Sequence, residues 1–156
     1  MKLSNVQIFI LRLAVAGLFL YTGIMKIKAG WLVSPDNLIG SLASYKEHAA
    51  GFQLTYIERV AIPLAGLWSK LITIGETAVG ISMVLGLLVR FSSLVGIFML
   101  LNFHLINGNL LSLDFFSTPW AGLLIAVLLV LFLSCGGRWA GVDALAAKSR
   151  PKSVLW

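Results

Sequence analysis

The chain has 156 residues, of which 59% are hydrophobic and 12% charged, and its mean hydropathy is +0.95. So few charged side chains cannot cover the surface of a soluble domain of this size, which excludes a soluble globular protein. The length fits one domain, and the net charge of +6 comes without the basic and aromatic patch of a nucleic-acid-binding protein. The composition therefore predicts a membrane protein with no nucleic-acid partner.

Four apolar segments are predicted to cross the membrane, at about 3–28, 64–89, 91–108 and 118–135. The last one is the most decisive, because residues 115–137 contain no Asp, Glu, Lys, Arg or His. As a helix this stretch is roughly 34 Å long, enough to cross a hydrocarbon core of about 30 Å. The second and third segments meet at Arg90 and predict an antiparallel hairpin. The predicted fold is an all-α, integral membrane four-helix bundle.

The segment at 35–60, between the first two spans, is predicted to contain a short amphipathic helix on the outer interface. Ser34, Pro35 and Asp36 are typical of a helix start, and Gly51 is typical of a stop. The apolar positions recur at helical spacing, at Leu38, Leu42, Tyr45 and Ala49. This helix either only covers the bundle or forms a lid over a ligand site.

The charges of the loops predict the orientation of the chain. Four spans place both termini on one side of the membrane. That side has one acidic residue, Asp143, and six basic residues, which are Lys2, Arg90, Arg138, Lys148, Arg150 and Lys152. The basic and acidic residues of the opposite side balance each other. The excess of Lys and Arg predicts cytoplasmic termini, with residues 138–156 as a basic cytoplasmic tail.

Glu76 and His104 are the candidate catalytic residues, because ionisable side chains inside a membrane are costly and need a partner or a function. Each lies 14 residues from Arg90, so an antiparallel hairpin places them at equal depth. Lys26 ends the first span and Lys70 begins the second on the same outer side, so their long side chains are expected to extend toward Glu76. This arrangement predicts a protonatable pocket for a quinone head group. In the alternative, Glu76 is neutral or salt-bridged and only fixes helix register.

Further polar residues of the same outer half are Thr73, Thr77, Asn102 and Asn107. Of these, Thr73 and Asn107 complete the predicted ligand-binding set with Lys26 and Lys70. No cluster of side chains has metal-ligand spacing, so no metal site is predicted. The single cysteine excludes a disulfide framework and a CxxC dithiol. The chain is therefore expected to hold no intrinsic cofactor, and a bound quinone is the one redox group expected in its pocket.

Three arginines, Arg12, Arg90 and Arg138, are predicted to lie at the lipid interface. Arg12 is only about 20 Å of helix from Lys26, too short a distance to span the membrane. It is expected to extend to the cytoplasmic lipid head groups, with inward pairing as the alternative. Four glycines, Gly17, Gly23, Gly80 and Gly86, are expected to allow close helix packing.

Three ordered motifs resemble those of the DoxX family, and together they extend over nearly the whole chain. They read Arg12-x4-Gly17-x5-Gly23-x2-Lys26, Gly75-Glu76-x3-Gly80-x5-Gly86-x3-Arg90, and Gly137-Arg138-Trp139-x-Gly141-x-Asp143. The resemblance implies a four-helix protein of a bacterial or archaeal cell membrane. DoxD relatives are subunits of thiosulfate:quinone oxidoreductase, so it also implies a membrane subunit of a quinone-linked oxidoreductase. A partner subunit or a bound quinone then supplies the redox centre.

The sequence is also compatible with a second class of function. The chain can instead be a non-catalytic accessory subunit of a larger respiratory or photosynthetic membrane complex. A catalytic subunit needs a pocket that converges on Glu76, whereas an accessory subunit needs an apolar flank covered by a partner. In both cases the expected partners are membrane lipids and other protein subunits. A transporter is disfavoured by the short chain.

Overall fold

The computed structural model describes residues 4–108, 110, 119–134, 137 and 140–149. All regular elements in these residues are helical, as predicted. They are α1 (Asn5–Lys28), α2 (Asp36–Lys46), α3 (Gly51–Tyr56), a π-helical segment (Ile57–Ala61), α4 (Ala65–Leu85), α5 (Val89–Ile106), α6 (Pro119–Leu133) and α7 (Asp143–Ser149).

The four longest helices form a bundle in which α1 contacts α4 and α6, and α5 contacts α4 and α6. Two glycines allow α1 and α4 to approach closely. A Cβ on Gly23 would lie 2.9 Å from the backbone nitrogen of Thr77, and one on Gly80 would lie 2.6 Å from Leu20. A Cβ on Gly17 would meet no other described residue within 4 Å, so the predicted role in close packing holds for Gly23 and Gly80 but not for Gly17. Between the helices lies an apolar core that includes Phe19, Val79, Met83, Leu128 and Leu131.

One end of the bundle, here named the closed end, is built around the turn from α4 to α5. Gly86 has φ 63° and Leu88 has φ 52°, so the turn needs two residues in the left-handed region. The carboxylate of Asp143 accepts hydrogen bonds from the backbone N–H groups of Leu88 (2.6 Å) and Val89 (3.0 Å), and thereby caps the start of α5. The buried Arg12 side chain completes the closed end.

The short amphipathic helix predicted within the segment at 35–60 is α2, and the rest of the segment contains α3 and the π-helical segment. Leu38 and Leu42 are buried, and Tyr45 and Ala49 pack against the same cluster, which confirms the predicted apolar face. The prediction that Gly51 stops the helix is wrong. The helix ends at Lys46, and Gly51, at φ 55°, begins α3 after an extended Ala50.

Among the described residues, two helices, Asn5–Lys28 and Val89–Ile106, are long and apolar enough to cross a membrane, and the apolar helix Gly122–Leu133 is shorter. The other long helix, α4, contains Lys70 and Glu76. Four spans, and the side on which the termini lie, stay predictions. The hairpin between α4 and α5 is present, but its turn is at 86–88 rather than at Arg90, because Val89 and Arg90 already belong to α5.

Candidate functional site

A cavity of about 340 Å³ lies at the end of the bundle opposite the closed end, between α1, α4, α5 and the segment that contains α2 and α3. Most of the residues that line it are apolar or aromatic. They are Phe19, Thr22, Lys26, Trp31, Leu38, Ser41, Leu42, Tyr45, Tyr56, Ala61, Trp68, Ile72, Glu76, Phe98, Met99, Leu100, Asn102, Phe103 and Ile106.

An ion pair between Lys26 and Glu76 lies in the wall of this cavity. The ammonium nitrogen of Lys26 donates to both carboxylate oxygens of Glu76, at 2.8 and 2.7 Å. The side chains are 23% and 15% exposed, so the pair is only partly buried. The ammonium also lies 5.4 Å from the centre of the Trp31 ring, a cation–π distance. The pair therefore offers a positive charge, an acceptor and an adjacent aromatic surface in one place.

A second polar pair, Tyr56 and Asn102, also lines the cavity. The phenol of Tyr56 donates to Oδ1 of Asn102 at 2.5 Å. Tyr56 belongs to α3, outside the bundle, whereas Asn102 belongs to α5. Burial raises the pKa of Tyr56 above its ordinary value of 10.0, because the phenolate is poorly solvated there. The phenol is thus neutral, and a hydrogen-bond donor, throughout the physiological pH range.

Helical spacing explains why these side chains meet. Trp68, Ile72 and Glu76 follow one another at intervals of four residues and form one stripe of α4. On α5 the same interval separates Phe98, Asn102 and Ile106. The stripes face each other, and helix α2 covers them with Leu38, Leu42 and Tyr45.

The segment that covers the cavity is fastened at three points. Gln53 donates to the carbonyl oxygen of Ile106 at 2.7 Å, and its side chain packs where a Cβ on Gly108 would be. The hydroxyl of Ser69 donates to the carbonyl oxygen of Trp31, and Asn37 donates to that of Ala29 at 2.8 Å. Trp68 lines the cavity as well, and its buried indole N–H has no hydrogen-bond acceptor among the described residues.

The structure places the predicted site residues in different surroundings. Lys26 and Glu76 line the cavity together. Lys70 is exposed, and Thr73 is buried with its hydroxyl donating to the carbonyl oxygen of Ser69 at 2.8 Å. His104 is 5% exposed and packs edge-on against Phe103, and neither His104 nor Asn107 is among the lining residues. The proton-handling and ligand-binding roles of these residues stay predictions.

The prediction that Arg12 extends to lipid head groups is wrong. Its side chain is 0% exposed, and its Nη2 donates to the carbonyl oxygen of Ala140 at 2.7 Å. Inward pairing is favoured because a backbone carbonyl and the nearby carboxylate of Asp143 both stabilise the guanidinium charge. Arg90 is partly buried, donating to the carbonyl oxygen of Phe132 at 3.0 Å and lying over that ring. Arg138 lies outside the described residues.

Sequence reasoning noted Asn102 as a polar residue of the same outer half but did not include it in the ligand set, and it did not assign Tyr56, Trp31 or Trp68 to the site. Asn102 has a detectable signal, because it shares a helical stripe with Phe98 and Ile106. His104 lies two residues further, about 200° around the helix. Tyr56 has no such signal, since its position depends on how the covering segment folds back.

No group of three or more His, Cys, Asp or Glu side chains among the described residues is arranged to bind a metal.

A family model described as TQO small subunit DoxD matches residues 7–155. No curated protein and no solved structure matches the chain. The family match confirms the resemblance found in the sequence at the level of DoxD, a DoxX-like family. The match extends over nearly the whole sequence, and this chain belongs to the DoxD family of thiosulfate:quinone oxidoreductase small subunits.

Proposed function

We propose that this protein is a membrane subunit of a quinone-linked oxidoreductase resembling thiosulfate:quinone oxidoreductase, and that its cavity binds the quinone head group. The observation that supports this most directly is the Lys26–Glu76 ion pair in the wall of an otherwise apolar, aromatic cavity. The family of the chain supports the same substrate class and the presence of partner subunits.

The size and lining of the cavity fit a quinone ring. Small-molecule sites are concave and mostly apolar, typically about 300–1,000 Å³, with a few polar groups that fix orientation. The cavity of about 340 Å³ is at the lower end of this range. Its aromatic side chains, among them Trp31, Tyr45 and Trp68, offer faces on which a planar ring stacks. The isoprenoid tail extends from the cavity into the lipid.

The chemistry requires electrons and protons in equal number. Reduction of a quinone to a quinol takes up two electrons and two protons, one proton on each carbonyl oxygen. The electrons come from the partner subunit that oxidises the sulfur substrate. The ammonium of Lys26 stabilises negative charge as it develops on the nearer oxygen, and the Lys26–Glu76 pair passes protons to it.

Replacing Glu76 with Gln tests this proposal. The variant keeps an acceptor for Lys26 but removes the titratable carboxyl group, so assembly survives. Quinone-dependent turnover per assembled complex is expected to fall by about 10²-fold or more. Turnover is measured on purified complex and normalised to the amount of this subunit.

The matched control is Glu58→Gln. Glu58 also forms an ion pair with a lysine, Lys46, at 2.9 Å, but both side chains are exposed and neither lines the cavity. Its turnover is expected to stay at the wild-type value. Unchanged turnover in Glu76→Gln as well would contradict the proposal and favour the accessory-subunit function. A parallel His104→Gln variant tests the predicted proton role of His104.

A further inference from the structure

Both polar pairs of the cavity contain a hydrogen-bond donor that the protein does not use. The ammonium of Lys26 has three N–H bonds, and Glu76 accepts two of them. At the other pair, Tyr56 donates to Oδ1 of Asn102, which orients the amide and leaves its Nδ2 without a partner among the described residues. Apart from these pairs, the polar side chains in the lining are the hydroxyls of Thr22, Ser41 and Tyr45 and the indoles of Trp31 and Trp68, of which those of Thr22 and Ser41 donate to carbonyl oxygens of their own helices.

The geometry points to Asn102 as a second binding residue, whose amide nitrogen donates to the carbonyl oxygen of the quinone remote from Lys26. Two donors at separate places in an apolar cavity fit a ligand with two acceptor oxygens at opposite ends of a ring, that is, a para-quinone. Tyr56 is a positioning residue for the Asn102 amide. This inference rests on the proposed function of the cavity and specifies how its substrate is held.

The positions of the two pairs along the hairpin agree with this assignment. From the centre of the 86–88 turn, Glu76 is 11 residues back and Asn102 is 15 residues forward. On antiparallel helices the difference of four residues separates them by about 6 Å along the bundle axis. The two polar pairs are thus offset along the cavity, because Glu76 and Asn102 lie at different depths on the contacting helices α4 and α5.

The same two places also accept hydrogen bonds, which suits the reduced ligand. A quinol has hydroxyl donors where the quinone had carbonyl acceptors. The carboxylate of Glu76 accepts at one pair, and the oxygen atoms of Tyr56 and Asn102 accept at the other. The cavity can therefore hold the ring before and after its reduction without a rearrangement of the backbone.

A comparison of two probes with different numbers of carbonyl groups tests the inference. Para-naphthoquinone has two carbonyls, and alpha-tetralone retains the fused rings with one. Binding of the quinone to the full chain in detergent is followed by quenching of tryptophan fluorescence, since Trp31 and Trp68 line the cavity. Binding of tetralone is measured by competition. The variant is Asn102→Leu, and the matched control is Asn5→Leu, which alters an exposed asparagine at the start of α1 that does not line the cavity.

We expect Asn102→Leu to weaken quinone binding by roughly threefold to tenfold, the value of one net hydrogen bond. Tetralone binding should not change, because its single carbonyl binds at Lys26. Tyr56→Phe should weaken quinone binding by a smaller factor. The Asn5→Leu and Tyr21→Phe controls, at exposed residues of α1 that do not line the cavity, should not weaken it.

Quinone binding that is unaffected by Asn102→Leu, or equal weakening of both probes, would overturn the role of Asn102 while leaving the quinone site in place. Absence of quinone binding to the wild-type chain would overturn the proposed function and, with it, this assignment. The two failures are thus distinguishable in one experiment.

Discussion

The two ends of the bundle each contain a pair of opposite charges, but they use them differently. At the closed end, Arg12 and Asp143 are 0% and 1% exposed, and each forms hydrogen bonds to backbone groups of another segment. At the cavity end, Lys26 and Glu76 are partly exposed and bind each other. The difference indicates that the first pair holds the chain together, whereas the second remains accessible to a ligand.

The packing around the two pairs also differs, because it is tight at the closed end and leaves a cavity at the other end. At the closed end a Cβ on Gly86 would lie 2.6 Å from both Arg12 and Gly141, so there is no space left. The backbone of 142–143 bonds directly to Leu85 and Gly86, at 3.1 and 2.9 Å. At the cavity end, by contrast, a volume of about 340 Å³ adjoins the ion pair. A charge enclosed by backbone stabilises a fold, and a charge beside a cavity can act on a substrate.

The largest loss of folding stability is expected for the variant Asp143→Ala at the closed end. The variant leaves two N–H groups at the start of α5 without their acceptor and removes the counter-charge of the buried Arg12. Loss of one partner of a buried pair costs about 3–5 kcal/mol in the free energy of unfolding. Denaturant unfolding of the detergent-purified protein measures this loss. Asp36→Ala, at an exposed acid, is the control, and equal stability of both variants would contradict the structural role of Asp143.

A smaller loss of folding stability is expected for Gly23→Ala, a substitution in the part of α1 that lies between the two ends of the bundle. Its Cβ would lie 2.9 Å from the backbone nitrogen of Thr77, which cannot move without separating α1 from α4. Overpacking of this kind destabilises a protein by about 1–3 kcal/mol. Gly17→Ala is the matched control on the same helix, since nothing lies within 4 Å of that position. Thermal unfolding of both variants should show a loss in Gly23→Ala alone.

A change within about 1 kcal/mol is expected for the double variant Lys26→Met with Glu76→Gln, because a partly exposed pair contributes little to stability. The same double variant should lose quinone binding. A large loss of stability would contradict the comparison between the ends, since the cavity pair would then be structural too. Thermal unfolding and quenching of tryptophan fluorescence by para-naphthoquinone supply the two measurements.

The smallest change in folding stability is expected from the ionisation of Tyr56 at high pH. Burial raises its pKa in the folded protein, so the folded state binds the phenolic proton more tightly than the unfolded state. This contribution to stability is complete below about pH 10 and is lost as the pH rises through the folded-state pKa. The melting temperature should therefore fall more steeply above pH 10 in the wild type than in Tyr56→Phe. Parallel curves for the two proteins would show that Tyr56 has no part in the transition.

The sequence predicted the elements better than the contacts between them. Helix α2 and its apolar face follow from the spacing of Leu38 and Leu42, because helical periodicity is local. A partner for Glu76 was predicted from the cost of charges in apolar segments, with Lys26, Lys70 or His104 as candidates, and the structure pairs it with Lys26. Of the predicted ligand set, Thr73 is buried with its hydroxyl bonded to Ser69 and Lys70 is exposed, so neither lines the cavity, and their binding roles stay predictions. Depth alone did not distinguish Asn102 from His104, because only the rotation of α5 decides which of them faces the cavity.

By itself the sequence determined an all-helical chain of the DoxD family, with apolar helices and a small set of ionisable residues within them. These properties depend on composition, on periodicity and on motifs that extend along the chain. The tertiary structure alone decided that Arg12 turns inward to Ala140 and that Tyr56 meets Asn102. Both contacts join segments distant in sequence, 128 and 46 residues apart, and their partners are chosen by the packing of whole helices. No local pattern of residues encodes that choice.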